Sequence, residues 1–216
     1  MHNIKGAIFD LDGTLFDSMW KWGEIAIDYI KSHGKKPRPG FLEILRTLNT
    51  TEESQYFIDE YGVDLPLDEV IKGRDSLMCD FYKNDVKLKD GVVQVLELLN
   101  NRGVKMCIAT ATDRWLFEPA LERFDLNKYF KCIFTCTEEK TSKANPDIYI
   151  RAADYLETEI NETLVVEDAL YAMKTAKKAG FIVTGIYDKS ADDEQDEIKA
   201  VCDYYCINPG EMLEFL

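Results

Sequence analysis

The feature that most constrains the fold is an alternation of short apolar runs with helical segments, which begins near Val92 and continues to the end of the chain. Strands separated by helices of this length indicate βαβ units, and therefore a parallel sheet covered on both faces. The predicted strands are Lys105–Thr110, Lys131–Phe134, Thr163–Val166, Phe181–Ile186 and Asp203–Cys206, and the predicted helices are Val92–Asn101, Arg114–Phe124, Pro146–Leu156, Ala169–Ala179, Asp192–Val201 and Pro209–Phe215.

One further apolar run, Ile4–Phe9, stands far from the others near the start of the chain. Between it and the alternating region, from Asp17 to about Tyr82, the apolar residues follow helical spacing, and breaks divide the stretch into about four helices without a strand. We therefore predict a doubly wound, Rossmann-like α/β core split by an inserted all-helical cap domain. Residues 1–16 and 86–216 form the predicted core, and residues 17–85 form the predicted cap.

Composition limits the class of protein and its partners. Of the 216 residues, 46% are hydrophobic and 31% charged, which is typical of a globular domain. No apolar run approaches the ~20 residues of a membrane-spanning helix, and the first residues lack a signal-peptide pattern, so we expect a cytoplasmic protein that does not bind membranes. The net charge of −14 repels nucleic acid. A monomer is the expected state.

Six cysteines include two pairs with the spacing Cys-x3-Cys, namely Cys132 with Cys136 and Cys202 with Cys206. Both pairs lie in runs that resemble strands, where residues four apart are separated by ~13 Å. One zinc ion, at ~2.3 Å from each sulfur, could not bind both members of such a pair. We therefore expect buried or half-buried free thiols rather than a metal site.

Four of the predicted strands end in, or lead into, polar side chains of chemically useful types. Because the carboxyl ends of parallel strands meet at one edge of a sheet, where ligands of open α/β sheets bind, these side chains should converge. The residues are Asp10 and Asp12, Thr110 and Thr112, Lys140 and Lys143, and Glu167 and Asp168.

Carboxylates gathered at one place repel one another unless one is protonated or a cation is bound. Asp10, Glu167 and Asp168 offer the hard oxygen ligands that Mg²⁺ prefers. Mg²⁺ together with a lysine would supply the cationic clamp that phosphoryl transfer needs, and an aspartate can be the nucleophile.

The motifs around these residues resemble those of the haloacid dehalogenase superfamily. The run Asp10–Leu15 (DLDGTL) after an apolar strand resembles the first motif of that family, and Ile108–Thr112 (IATAT) resembles the second. Ser142–Asp147 (SKANPD) resembles the third motif, and Glu167-Asp168 after two valines resembles the fourth. The helical block resembles the first-position helical cap of the family. Four motifs in the same order make the resemblance specific.

This resemblance implies a role for each site residue. Asp10 would be the nucleophile, and Asp12 would be the general acid for the leaving oxygen and then the base for water. Thr110, with Ala111 beside it, and Lys143 would bind the phosphoryl group, and Lys143 would also offset the charge of Asp10. Asp168 would hold Mg²⁺ together with Asp10 and the backbone carbonyl of Asp12. Glu167 would be a further metal ligand or a partner of one.

Several residue assignments stay open at the level of sequence. Lys140 competes with Lys143, although the spacing to Pro146 favours Lys143. Thr112 is equally well explained as a helix cap and as a phosphate ligand. The Asp17-Ser18 pair is a helix start or, alternatively, a pair of groups on the substrate side.

The expected activity is that of a Mg²⁺-dependent phosphatase acting on a small phosphorylated metabolite, such as a sugar phosphate, through an aspartyl phosphate. A β-phosphoglucomutase-like mutase is the alternative. It is disfavoured because Trp22 occupies the place of the cap histidine of the mutases, and because Leu48–Glu52 offers no cap arginine. A phosphonoacetaldehyde-type hydrolase would need Lys21, between Trp20 and Trp22, as a Schiff-base lysine. A non-catalytic binding protein of the same fold is the remaining alternative.

Overall fold

The computed structural model describes residues 3–45, 48 and 50–216. The start of the N-terminal segment, and Asn49 within the stretch searched for a cap arginine, lie outside the described residues. The chain divides into two compact units, one formed by Met1–Met19 with Val86–Leu216 and the other by Trp20–Asp85.

The first unit contains eight strands and six helices among its described residues. Its strands are β1 (Gly6–Phe9), β2 (Phe16–Asp17), β3 (Lys87–Leu88), β4 (Lys105–Thr110), β5 (Phe130–Thr135), β6 (Thr163–Glu167), β7 (Ile182–Ile186) and β8 (Tyr204–Cys206). Its helices are α5 (Val92–Asn101), α6 (Arg114–Arg123), α7 (Cys136–Glu139), α8 (Asp147–Leu156), α9 (Leu170–Ala179) and α10 (Gln195–Val201).

Six of these strands form one parallel sheet in the order β5-β4-β1-β6-β7-β8. The chain moves outward from β1 through β4 to β5, and then returns to β6 on the other side of β1. The three central strands β4, β1 and β6 therefore end side by side at the point where the strand order reverses. Ligands of such sheets bind at this point.

The central strands are buried because helices cover both faces of the sheet. Every residue of β1, β6 and β7 is buried, which explains why these strands are continuous apolar runs rather than alternating ones. Side chains from α8 and α9, including Ile148, Tyr149 and Met173, pack in one core with Ile8 and Val165 of the sheet. The predicted doubly wound α/β class is confirmed.

The described part of the helical unit contains four helices, which is the number that the sequence predicts. They are α1 (Met19–Ser32, of which Met19 belongs to the first unit), α2 (Phe41–Leu45), α3 (Thr50–Tyr61) and α4 (Leu67–Asn84). Tyr29, Phe41, Phe57, Tyr61 and Val70 form its apolar core. No helix in the described part of the chain is long and apolar enough to cross a membrane.

The structure corrects the expectation that no strand occurs between Asp17 and Tyr82. Phe16 and Asp17 form β2, which pairs antiparallel with β3. A two-residue strand is too short to show a period of two, so the sequence carried no signal for it. Near the C-terminus the predicted helices are also shortened: 3-10 segments cover Lys189–Glu194 and Pro209–Glu214, and the α-helix begins only at Gln195.

Only one cysteine of each Cys-x3-Cys pair lies on a strand, so the prediction that both members lie on strands is wrong. Cys136 begins α7, because the Thr135 side chain accepts a hydrogen bond from Glu138 N and so starts a helix there. Cys202 follows the end of α10. All six cysteines are free thiols, two buried and four half-buried.

Candidate active site

Three of the four groups predicted to converge lie at the carboxyl ends of the three central strands. Asp10 comes directly after β1, and its backbone N–H still donates to Val166 O of β6 at 3.0 Å. Thr110 is the last residue of β4, and Glu167 is the last residue of β6. Because these strands are neighbours, their carboxyl ends bring carboxylates from distant parts of the chain to one edge.

Lys143 lies in the loop before α8 and joins two of these carboxylates. Its Nζ donates to Asp10 Oδ1 and, at 2.7 Å, to Glu167 Oε1. The three side chains are almost fully buried, with 3% of Lys143, 6% of Asp10 and 1% of Glu167 exposed. A buried charge without a partner is costly, so the lysine and the two acids stabilise one another.

Burial and mutual interaction shift the pKa values of this group. Burial raises the pKa of Asp10 to about 8, since the opposing effect of Lys143 is offset in part by Glu167 and Asp12. Burial alone would lower the pKa of Lys143, but the charges of Asp10 and Glu167 outweigh it and hold that pKa above its usual value. Lys143 is therefore held as a cation beside Asp10.

Asp168 completes a cluster of acids suited to a cation. Asp10, Glu167 and Asp168 each place a carboxylate oxygen within 4.8 Å of the others, and all three residues are buried. Burial and the neighbouring charges of Asp10 and Glu167 raise the pKa of Asp168 well above its usual value. Oε2 of Glu167 is buried without a hydrogen-bond partner in the described structure. Three hard oxygen ligands in one buried place match the preferences of Mg²⁺.

A tight turn after β1 brings the backbone against this cluster. Gly13 has φ of 78°, and its N–H donates to Phe16 O at 2.9 Å. A Cβ at Gly13 would lie 2.1 Å from Asp168 Oδ2. Only glycine both adopts this φ without strain and leaves room for the carboxylate.

Asp12 has surroundings unlike those of Asp10. Ser18 Oγ donates to Asp12 Oδ1 at 2.5 Å, and Thr112 Oγ1 donates to Asp12 Oδ2 at 2.7 Å. Ser18 is fully buried, whereas Asp17 is exposed. Thr112 does not cap α6, because the residue at the N-cap position is Asp113. Of the two explanations of Thr112 considered from the sequence, the helix cap is therefore wrong.

The remaining predicted residues lie at the same edge with different exposure. Thr110 is buried, and its Oγ1 accepts a hydrogen bond from Thr112 N at 3.1 Å. Ala111 between them is exposed. Lys140 is exposed and ends α7 with φ of 53°, so Lys143, not Lys140, contacts Asp10.

Sequence reasoning missed two groups near this edge. Tyr149 of α8 is fully buried and donates from its hydroxyl to Glu167 Oε1 at 2.8 Å. A buried tyrosine hydroxyl usually has a partner, and this was the only signal that could have indicated its place. Lys89 forms a largely buried ion pair with Asp188, with Lys89 Nζ at 2.9 Å from Asp188 Oδ2. Asp188 lies just beyond β7, at the same edge of the sheet.

Geometry alone defines this chain as a doubly wound α/β protein with an acidic, lysine-containing site at the carboxyl edge of its central strands. The family model described as haloacid dehalogenase-like hydrolase matches residues 7–186. The chain therefore belongs to the haloacid dehalogenase-like hydrolase family, as the motifs predicted.

Individual relatives agree with this membership. The phosphorylated carbohydrates phosphatase of Thermotoga maritima is 24% identical over 177 residues, which cover 82% of this chain and 82% of the relative. The structure of CbbY from Rhodobacter sphaeroides in complex with phosphate has a TM-score of 0.82 at 19% identity, over 97% of this chain and 96% of that one. The structure of β-phosphoglucomutase from Clostridium difficile has a TM-score of 0.73 at 19% identity, and the match covers 96% of this chain and 92% of that one. The two solved structures establish a shared fold.

Proposed function

We propose that this chain is a Mg²⁺-dependent phosphatase that hydrolyses a small phosphorylated metabolite through an aspartyl phosphate on Asp10. The observation that carries the proposal is the buried contact of Asp10 with Lys143, beside the acids Glu167 and Asp168. A nucleophilic carboxylate, a fixed cation and a set of metal ligands are the groups that phosphoryl transfer to an aspartate requires. The phosphatases among its relatives support the same reaction class.

The donor set fits Mg²⁺. Burial and the neighbouring acids raise the pKa values of Asp10 and Asp168, so a divalent ion beside them would offset unfavourable negative charge, and the unpartnered Oε2 of Glu167 offers one more acceptor. Asp10 and Asp168 would hold the ion, with the backbone carbonyl of Asp12 and with Glu167 as a further ligand or a partner of one. When bound, Mg²⁺ would neutralise charge on the phosphoryl oxygens.

In this mechanism Asp10 forms a bond from a carboxylate oxygen to phosphorus while the bond from phosphorus to the leaving oxygen breaks. Lys143 stabilises negative charge on the phosphoryl group and keeps the carboxylate of Asp10 oriented. Thr110 would donate to a phosphoryl oxygen, and accepting the N–H of Thr112 does not use its hydroxyl proton. Ala111, next to it, would contribute its backbone.

Asp12 carries the proton in both halves of the reaction. It gives a proton to the leaving oxygen, and the resulting carboxylate then takes one from the water that hydrolyses the aspartyl phosphate. The products are the free alcohol and inorganic phosphate, and Asp10 is regenerated. Asp12 accepts hydrogen bonds from two hydroxyl groups, whereas Asp10 contacts the ammonium group of Lys143.

The alternatives have less support. Helix α1 contains no histidine for the proton transfer of a sugar phosphate mutase. Lys21 lies 5.6 Å from the Trp20 ring centroid and 3.3 Å from Glu24 Oε2, and such contacts stabilise an ammonium group rather than a Schiff-base amine. Trp22 contacts Arg74, whose guanidinium carbon lies 5.0 Å from the Trp22 ring centroid, whereas Lys21 contacts the Trp20 ring.

We propose that the helical unit acts as the specificity cap.

A phosphate-release screen tests this function. The purified chain is incubated with sugar phosphates, phosphoglycolate, nucleoside monophosphates and p-nitrophenyl phosphate, with Mg²⁺ or with a chelator. We expect the wild-type chain to release phosphate from at least one small phosphate ester when Mg²⁺ is present but not when the chelator is present. The Asp10→Asn variant should release no phosphate. Conversion of a sugar 1-phosphate to its 6-phosphate without net release would identify a mutase instead. No turnover by the wild-type chain on any ester would reject an enzymatic function.

A further inference from the structure

The carboxyl group of Asp12 is held at both oxygens by hydroxyl groups from two separate segments. Ser18 follows β2, and Thr112 follows β4, a hundred residues along the chain from Asp12. We propose that Thr112 is a positioning residue for Asp12, which fixes the carboxyl group in the orientation needed to pass a proton to the leaving oxygen. The inference rests on the proposed phosphatase function and adds a residue to it.

The backbone explains why Thr112 reaches Asp12. Strands β1 and β4 are neighbours in parallel register, with Phe9 paired to Ile108, so the segments that follow them leave the sheet side by side. The N–H of Thr112 donates to Thr110 Oγ1 at 3.1 Å, which closes a short turn and holds Thr112 in place. The residue is half-buried and its hydroxyl lies 2.7 Å from Asp12 Oδ2.

Two hydrogen bonds fix the orientation of the Asp12 carboxyl group, which a single hydrogen bond would leave free to rotate. The terminal torsion of an aspartate is soft and roughly two-fold, so a carboxyl group held at one oxygen can still rotate. Ser18 binds Oδ1 and Thr112 binds Oδ2, and together they define the plane of the group. A misplaced catalytic group loses rate steeply, because proton transfer needs a near-ideal geometry.

Hydroxyl partners also suit a group that alternates between acid and base. A hydroxyl donates to a carboxylate and accepts from a carboxylic acid, whereas an ammonium or amide N–H can only donate. Thr112 and Ser18 can therefore stay in contact with Asp12 throughout the reaction. Lys143, which can only donate, instead faces Asp10.

The test compares two substrates of similar shape whose leaving groups differ in basicity. Phenyl phosphate leaves as a basic phenolate and needs the proton of Asp12, whereas p-nitrophenyl phosphate leaves as a weakly basic anion and scarcely needs it. The variants are Thr112→Val, which removes the hydroxyl at nearly constant volume, and Thr112→Ser, which keeps it. Thr175→Val is the matched control, because the Thr175 hydroxyl donates to Tyr171 O within α9. The readout is kcat/KM, which reports the phosphoryl-transfer half of the reaction.

We expect Thr112→Val to lower kcat/KM for phenyl phosphate by about 10- to 100-fold, the loss of one hydrogen bond to a charged group, and by less than about threefold for p-nitrophenyl phosphate. Thr112→Ser should stay within about threefold of wild type on both substrates, since it retains the hydroxyl. Thr175→Val should not change the ratio between the two substrates.

Other outcomes would overturn the inference. Equal losses on both substrates, together with weaker competitive inhibition by inorganic phosphate, would make Thr112 a phosphate ligand. Unchanged rates would show that Ser18 alone suffices to hold Asp12. If Thr112→Val does not fold, Thr112→Ala replaces it as the variant without the hydroxyl, and an unchanged ratio of the two substrates in Thr112→Ala also overturns the inference. No turnover by wild type on either ester rejects the proposed function itself, whereas these results with an active wild type reject only the role of Thr112.

Discussion

Asp10 and Asp12 lie two residues apart, yet their side chains contact different kinds of groups. Asp10 faces the ammonium of Lys143 and belongs to a buried acidic cluster, and its pKa is raised to about 8 by burial. Asp12 is held by two neutral hydroxyl groups. The first environment suits a nucleophile that shares its site with a cation, and the second suits a group that exchanges protons.

The nucleophile assignment predicts that Asp10→Asn abolishes turnover. An amide of nearly the same size is a poor nucleophile and a poorer metal ligand, and the fold should persist because the shape of the side chain is kept. Phosphate release measures the loss of turnover, and a thermal melt followed by circular dichroism checks that the fold persists. Release at a tenth of the wild-type rate or more, by a folded variant, would reject Asp10 as the nucleophile.

The proton-transfer assignment predicts that Asp12→Asn lowers kcat on a poor leaving group by ~10²–10⁴-fold with little change in substrate dissociation constant, as is typical for loss of a general acid. Single-turnover kinetics with phenyl phosphate measure the first chemical step directly. An unchanged single-turnover rate would mean that Asp12 only shapes the turn and presents its carbonyl to the metal.

At the scale of elements, the turn between β1 and β2 determines how closely the backbone approaches the acidic cluster. Asp10 and Asp12 come from this turn, and Asp168 comes from the end of β6. Gly13 lets the backbone pass against the Asp168 carboxylate, where a Cβ would lie 2.1 Å from Oδ2. The conformation of the turn and the position of the Asp168 carboxylate are therefore sterically interdependent.

Gly13→Ala should consequently damage the site as well as the stability. Alanine at a positive φ costs roughly 1–2 kcal/mol, and the clash should also displace Asp168, so we expect weaker Mg²⁺ affinity and at least a tenfold loss of turnover. Gly103→Ala is the matched control, because Gly103 has φ of 73° and a Cβ added there would meet no atom within 4 Å. It should lose stability only. Equal activity of the two variants would contradict the steric argument.

At the scale of the whole molecule, a chain of net charge −14 repels the anionic substrate that we propose for it. Lys143 is a cation at the site, yet it is already shared between Asp10 and Glu167. The buried acids Asp10, Glu167 and Asp168 add to the unfavourable charge until a divalent ion joins them. Ion binding should therefore be coupled to the stability of the fold.

Mg²⁺ should raise the melting temperature of the protein. At a concentration one hundred times its dissociation constant, a ligand of the folded state stabilises by about 2.7 kcal/mol, which corresponds to about 5–10 °C for a chain of this size. Asp168→Asn should abolish the shift, and without metal it should be at least as stable as wild type because one buried acid is removed. Differential scanning calorimetry with and without Mg²⁺ makes the comparison, with K⁺ at equal ionic strength as control. An equal shift in Asp168→Asn would reject this residue as a ligand.

The sequence by itself determined the fold class and the residues that meet at the sheet edge. Apolar runs such as Thr163–Val166, separated by helical segments, allow only a parallel sheet, and a parallel sheet brings its carboxyl ends together. The types of Asp10, Lys143 and Asp168 then indicated phosphoryl chemistry before any contact was known. Local patterns suffice here because the strand and helix periods are properties of short segments, and the parallel direction follows from the helical crossover that connects successive strands.

Only the tertiary structure decided the contacts between those segments. The structure shows that Thr112 donates to Asp12 and is not the N-cap of α6, and that Tyr149 donates to Glu167. It also shows that Lys143, which the motif spacing already favoured over Lys140, contacts Asp10. Each of these hydrogen bonds joins residues that are distant in sequence and depends on distances of a few ångströms set by packing between strands and helices. A periodic pattern specifies which face of an element is buried, but it does not specify which atoms on neighbouring elements lie within about 3 Å of each other, because that depends on the relative placement of whole elements.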